Sequence, residues 1–173
     1  MELDELKEHI RNIPDFPKPG IVFRDITTLL LNPEAFETAV TELEKGLREK
    51  QAEKIAAIES RGFIFGAVLA DRMDLGLILI RKSGKLPEDV HEEAYDLEYG
   101  TDTLEMHKDS VQPGERVLII DDLLATGGTC AAAARLVRQA EGVIAGIGFV
   151  IELDALEGRH ALQEYEIVSL IHY

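Results

Sequence analysis

The sequence predicts an α/β fold, a mostly parallel, twisted sheet with helices on both faces. Three observations carry that expectation. Four apolar runs of strand length, KIAAIE (54–59), LGLILIRK (75–82), ERVLIIDD (115–122) and GVIAGIGFVIEL (142–153), are nearly continuous rather than alternating, as strands buried on both faces are. Helical patterns separate them, which is the order of βαβ units. A chain of 173 residues, 46% apolar and 29% charged, suits one domain with a core of its own.

The elements follow in order. Leu3, Leu6 and Ile10 have helical spacing and predict a short opening helix. IPDFPKPG (13–20) carries three prolines and a glycine, so it must be an irregular connection. IVFRDITTLL (21–30) reads as a short strand. Asn32-Pro33 starts a helix, with Pro33 in its first turn, and Phe36, Val40, Leu43 and Leu47 keep the helical period. FIFGAVLADRM (63–73) is a helix between the first two sheet strands, and another runs from about Gly128 to Ala140. EGRHALQEY (157–165) is short and helical, and EIVSLIHY (166–173) reads as an edge strand. Residues 83–107 break the alternation. They are polar and lack a long apolar period, which favours a mobile flap over a site rather than a passive excursion.

Composition narrows the function. The formal net charge of -15 argues against non-specific nucleic-acid binding, which needs a basic footprint, but leaves room for a locally basic phosphate pocket. Cys130 is the only cysteine, so neither an intrachain disulfide nor a cysteine-based zinc site is expected. The acidic, amphipathic start is unlike a signal or transit peptide, and the apolar runs are too short to span a bilayer. A cytoplasmic location and no membrane partner are expected.

The chemistry concentrates in VLIIDDLLATGGT (117–129). Two adjacent carboxylates, Asp121 and Asp122, end a buried strand, where ligands of open parallel sheets bind. The loop Ala125-Thr126-Gly127-Gly128-Thr129 then leads into a helix. Its glycines let the backbone approach a ligand, its N–H groups and the helix N-terminus suit an anion, and its threonines add hydroxyls. Carboxylates suit hydroxyls or hydrated magnesium. A phosphate beside a diol is a sugar phosphate, and ribose 5-phosphate fits. The plainer alternative is a helix cap followed by a turn. Neither the nucleotide P-loop pattern nor a strand-to-helix G-x-G-x-x-G is present.

VLIIDDLLATGGT closely resembles the phosphoribosyl-diphosphate motif of type I phosphoribosyltransferases, and its DDLLATGGT form resembles the adenine phosphoribosyltransferases in particular. DFPKPGIVFRDIT (15–27), ESRGFIFGAVLA (59–70), LIRKSGKLP (79–87) and YDLEYGTDTLEMH (95–107) resemble that family in its order, over essentially the whole chain. The resemblance implies a single domain, 1–173, of the type I phosphoribosyltransferase fold. Residues 1–32 would form an N-terminal base-binding hood and 83–107 a mobile flap. The implied reaction is purine salvage: adenine N9 joins C1 of ribose 5-phosphate, giving AMP and pyrophosphate from adenine and 5-phosphoribosyl 1-diphosphate. Positive charge builds on the ribose in an oxocarbenium-like transition state.

Roles follow from the same resemblance. Ser60, Arg61 and Gly62 match the pyrophosphate loop, where a strained peptide would fall at Glu59-Ser60. Arg61, Arg81, Lys82 and Lys85 lie at or just after strand ends and would neutralise pyrophosphate, one basic residue of RKSGK reaching a neighbouring subunit's site. Asp121 and Asp122 would hold the ribose hydroxyls directly or through Mg2+. No dedicated metal cage is offered, so the ion would arrive on the diphosphate. Val22 and Arg24 backbone groups would read adenine, Phe23 and Leu123 would sandwich it, Glu98 would exchange a proton near N7, and Tyr99 would help close the flap. Taken without the family, Phe23 reads as core, Glu98 as a solvated loop residue and each lone Lys or Arg as surface charge. A homodimer is implied. Two rivals stay open: a transferase for another 6-substituted purine, and a non-catalytic phosphoribosyl-diphosphate sensor.

Overall fold

The structure, a computed structural model, describes residues 1–96 and 100–173. It divides into two compact units, Met1–Glu42 and Leu43–Tyr173.

In the first unit, a 3-10 helix, Leu3–His9, precedes β1 (Arg11–Pro14). β1 pairs antiparallel with β2 (Val22–Asp25), from Arg11 opposite Asp25 to Pro14 opposite Val22. The expected short opening helix is present, as a 3-10 helix. The expected strand over 21–30 stops at Asp25, after which Thr27–Leu31 form α1. Asp25 supplies the reason. Its Oδ1 accepts the Thr27 N–H at 2.9 Å and turns the chain, while Arg11 Nε and Nη2 reach Oδ2 at 2.9 and 2.5 Å. Asn32 caps α2 (Pro33–Leu47) as its position implied: Oδ1 accepts the N–H groups of Glu34 and Ala35 at 3.0 and 3.1 Å.

The Thr27 amide and hydroxyl, then Arg11, hold the Asp25 carboxyl down at about 2 against an ordinary 3.8. A depressed carboxyl stabilises fully above the unfolded value, and the contribution is lost as pH falls toward 2. Asp25→Asn is expected to lower stability by about 2 kcal/mol at neutral pH. The gap should shrink in acid. Denaturant melts at neutral pH and near pH 2 check this, and a gap of equal size at both would remove the carboxylate as its source.

The second unit is a seven-stranded sheet. In chain order its strands are β3 (Lys54–Ile58), β4 (Gly76–Lys82), β5 (Val90–Asp96), β6 (Thr101–His107), β7 (Arg116–Leu124), β8 (Val143–Glu152) and β9 (Ile167–His172). The spatial order is β5-β6-β4-β3-β7-β8-β9. β4, β3, β7, β8 and β9 run parallel, β6 runs antiparallel to β4, and β5 antiparallel to β6. Helices α3 (Arg61–Met73) and α4 (Gly128–Gln139) connect β3 to β4 and β7 to β8. Because strand side chains alternate faces, Ala56, Ile58, Val117 and Ile119 pack with Ala133, Leu136 and Val137 of α4. Ile55 and Ala57 on the opposite face meet α3 around Gly66. The expected parallel sheet with helices on both faces is therefore present.

The segment expected as a flap carries two strands, β5 and β6. β5 and β6 pair along their whole length, from Val90 opposite His107 to Asp96 opposite Thr101, and β6 joins the end of β4. Its pattern hides this because buried Leu104 and Met106 flank a buried charge, Glu105. Glu105 is satisfied by the turn it faces, accepting from Ser83 Oγ at 2.8 Å and the Gly84 N–H at 3.1 Å. β7 also runs two residues beyond the acidic pair, since Leu123 and Leu124 still pair with Ile151 and Glu152 of β8.

Candidate active site

Parallel strands deliver their carboxyl ends to one edge of the sheet. There, β3 ends against Glu59 and Ser60, β4 ends at Lys82, and β7 carries Asp121 to Leu124. A cavity of about 570 Å³ opens at this edge, the expected ligand position for such a sheet. Its walls are Glu59 to Arg61, Lys82 and Lys85, Tyr95 and Asp102, and the continuous stretch from Asp121 to Cys130, with Phe149 behind.

The loop from Ala125 to Thr129 forms one side. Gly127 is the N-cap of α4 at φ +86°, so the chain turns into the helix through a conformation that favours glycine. The first N–H groups of α4 have no intrahelical partner, which makes this wall an anion site. The loop is backed by the turn Gly158–Leu162. A β-carbon on Gly127 would stand 2.5 Å from the Gly158 carbonyl oxygen, so the two backbones touch where neither has a side chain.

The acidic pair lies at the cavity floor. Arg61, the first residue of α3, donates Nε to Asp122 Oδ2 at 2.5 Å. Gly62 permits that approach, since a β-carbon there would lie 2.9 Å from both Asp121 Oδ1 and the Ile120 carbonyl oxygen. Burial, then the negative charge of Asp122, push the Asp121 carboxyl well above the usual carboxylate range. Two carboxyls of which one is held by Arg61 and the other resists ionisation are a poor all-protein cage. They fit a magnesium ion that brings most of its own oxygen ligands. Cys130 lies buried behind them, its thiol pushed up by burial and by Asp121, as befits a packing residue.

Three pocket cations each have a carboxylate. Arg61 has Asp122, Lys82 Nζ lies 3.1 Å from Asp102 Oδ2, and Lys85 Nζ lies 2.5 Å from Glu59 Oε2. Asp102 also accepts the Tyr95 hydroxyl at 3.3 Å across the β5–β6 pair. Its bond to Lys82 raises that ammonium's pKa, and burial raises the Tyr95 phenol's. Among the described residues, one further group of ligand type lies elsewhere, where Glu152, Asp154 and His172 approach one another. Arg159 already claims both Glu152 oxygens, at 2.6 and 2.8 Å, so that group is an ion-pair network.

A model of the phosphoribosyl transferase domain matches residues 27–171. A relative named adenine phosphoribosyltransferase from Chloroflexus aurantiacus is 53% identical over the full length of both chains. One of the same name from Solibacter usitatus is 52% identical over 99% of each. The crystal structure of adenine phosphoribosyltransferase from Thermoanaerobacter pseudethanolicus superposes with a TM-score of 0.96 at 50% identity, covering 99% of this chain and 100% of that one. The chain belongs to the adenine phosphoribosyltransferases. The Saccharomyces cerevisiae member, solved with an imino-altritol bisphosphate and adenine, superposes with a TM-score of 0.93 at 38% identity, covering 97% of each chain.

Against the family's implied site, the cavity gathers Ser60, Arg61, Lys82, Lys85, Asp121, Asp122, Leu123, Ala125, Thr126, Gly127, Gly128 and Thr129. The Glu59–Ser60 peptide, where an unusual bond was expected, is cis. Arg81 is not among the described residues of the wall. It stays on β4 with Nε 3.5 Å from Glu59 Oε1. Val22, Phe23 and Arg24 lie on β2 of the first unit, where Phe23 meets Phe16 edge to face at 5.3 Å and Arg24 bonds Asn12. Glu98 and Tyr99 lie outside the described residues. Sequence reasoning missed Glu59, Asp102, Glu105 and Gly158. Glu59 had a usable signal, since it ends KIAAIE as the acidic pair ends VLII.

Proposed function

We propose that this cavity joins adenine to the ribose 5-phosphate of 5-phosphoribosyl 1-diphosphate, releasing AMP and pyrophosphate, with magnesium carried in on the diphosphate. The observation that carries this reading is the DDLLATGGT loop at the end of β7, meeting Arg61, Lys82 and Lys85 in one cavity. The amides at the start of α4 and the hydroxyls of Thr126 and Thr129 hold the 5-phosphate. Lys82, Lys85 and Arg61 take the charge of the departing pyrophosphate, which is electrostatic stabilisation of a leaving group. Asp121 and Asp122 hold the ribose hydroxyls, and Asp122 places negative charge where the ring becomes positive. Asp121 and Asp122 would hold a magnesium ion, directly or through its waters, and it would supply neutralising positive charge there.

Base recognition is assigned by the family resemblance. The Val22 and Arg24 backbones read the adenine edge, Phe23 and Leu123 stack on the ring, Glu98 exchanges a proton at N7, and Tyr99 closes over the site. The chain works as a homodimer in the cytoplasm, with a basic residue of the RKSGK segment completing the neighbour's site. Among the described residues, no helix is long and apolar enough to cross a membrane.

The test is base selection. Purified protein receives magnesium, 5-phosphoribosyl 1-diphosphate and, separately, adenine, guanine, hypoxanthine or xanthine. AMP formation alone is expected, abolished by chelating magnesium, from a preparation of dimeric mass by light scattering. Turnover of a different base would overturn the adenine assignment. Binding of the diphosphate without turnover would identify a sensor instead.

A further inference from the structure

Glu59 stands at the junction of β3 and α3 and lines the cavity, yet its side chain is only 7% exposed. Oε1 accepts the Lys82 backbone N–H at 2.6 Å, and Oε2 takes the Lys85 ammonium at 2.5 Å. Burial opposes the charge, but Lys85 and the Lys82 amide outweigh it and keep the carboxyl below its ordinary range. The two partners differ in freedom. Glu59 is pinned at the strand end by a backbone amide. Lys85 is 44% exposed and follows the Ser83-Gly84 turn on a long, flexible stem.

One ammonium cannot serve two anions equally. A diphosphate carries more charge than a carboxylate and is better placed in the open cavity. When Lys85 leaves, Glu59 keeps the Lys82 N–H and the Arg81 guanidinium 3.5 Å away, so its charge is not abandoned.

We propose that Glu59 is the resting counter-ion of Lys85 and sets diphosphate affinity: a diphosphate draws the Lys85 ammonium off the Glu59 carboxylate, and the carboxylate takes it back as pyrophosphate leaves. This rests on the reading that the cavity takes the diphosphate. Glu59 is then a positioning residue whose charge holds binding in check and helps product depart.

Glu59→Gln separates the two jobs, because an amide oxygen still accepts the Lys82 N–H while the competing charge is gone. Calorimetric titration with inorganic pyrophosphate in excess magnesium is the experiment, on the full chain as wild type, Glu59→Gln, Lys85→Gln and the double variant. Glu59→Gln is expected to bind pyrophosphate about 2- to 5-fold more tightly, the worth of a half-exposed ion pair. KM for 5-phosphoribosyl 1-diphosphate should fall with it and KM for adenine stay unchanged. In the Lys85→Gln background the gain should vanish. If Glu59→Gln does not fold, Glu59→Asp, which keeps the charge but withdraws it from Lys85, should show a smaller tightening. Equal or weaker binding, or a gain that survives loss of Lys85, overturns the proposal. Wild type that binds no pyrophosphate overturns the cavity reading itself.

Discussion

Asp122→Asn is expected to cut kcat/KM by about 100-fold or more while leaving the fold intact. The side chain is only 6% exposed, with Arg61 Nε at 2.5 Å from Oδ2. Asparagine keeps the shape and can still accept from Arg61, so packing should survive. What it loses is a negative charge beside a ribose that turns positive. A fixed charge in a water-poor site acts far more strongly than in solvent, and removing one such group typically costs about 100- to 1,000-fold. Asp121→Asn should cost less, because burial and Asp122 already favour the protonated form of Asp121. The asymmetry has its own signature. Without the Asp122 charge, Asp121 ionises more readily, so residual Asp122→Asn activity should recover in part as pH rises. Steady-state kinetics across pH, with circular dichroism to confirm folding, check this. Unchanged kinetics would remove Asp122 from the chemistry.

How far the sequence could be read depended on whether burial left a one-sided pattern. KIAAI and VLII were legible as strands because both faces of the sheet are covered, so nearly every residue is apolar. The acidic pair was legible because two carboxylates on a buried strand have no packing explanation. The β5–β6 hairpin was not legible, because Glu105 sits buried between Leu104 and Met106 and the two donors to its Oε1 come from a turn some twenty residues upstream. ITTLL looked extended because of its β-branched residues, but the Asp25 carboxylate on the Thr27 amide starts a helix there. Asp102 lacked a signal of another kind. A single acidic residue in a polar context is usually solvated, and only the converging strands place it against Lys82. Gly158 is some thirty residues from the loop it supports, and no spacing rule links them.

Gly127→Ala is expected to raise KM for 5-phosphoribosyl 1-diphosphate by about 10- to 100-fold, leave KM for adenine nearly unchanged, and lower the melting temperature. Gly127 has φ +86°, a region that costs a residue with a β-carbon about 1–2 kcal/mol. The added methyl would also stand 2.5 Å from the Gly158 carbonyl oxygen and 3.0 Å from Ala161 Cβ. The neighbour cannot give easily. The turn Gly158–Leu162 is held by fully enclosed Leu162 and by Arg159 gripping the Glu152 carboxylate, which is 5% exposed. The loop must therefore move, and its amides with it. Displacing binding groups by about 1 Å can cost about 100-fold. Gly158→Ala approaches the same contact from behind, since a methyl there presses on the Ala125 carbonyl and the Leu124 side chain. It should reproduce the loss without altering any residue of the cavity wall. Calorimetric affinities for ribose 5-phosphate, beside the two KM values, are the measurement. If both variants bind the sugar phosphate like wild type, the phosphate is not read by this backbone, and the cavity's anion site must lie with Arg61, Lys82 and Lys85 alone.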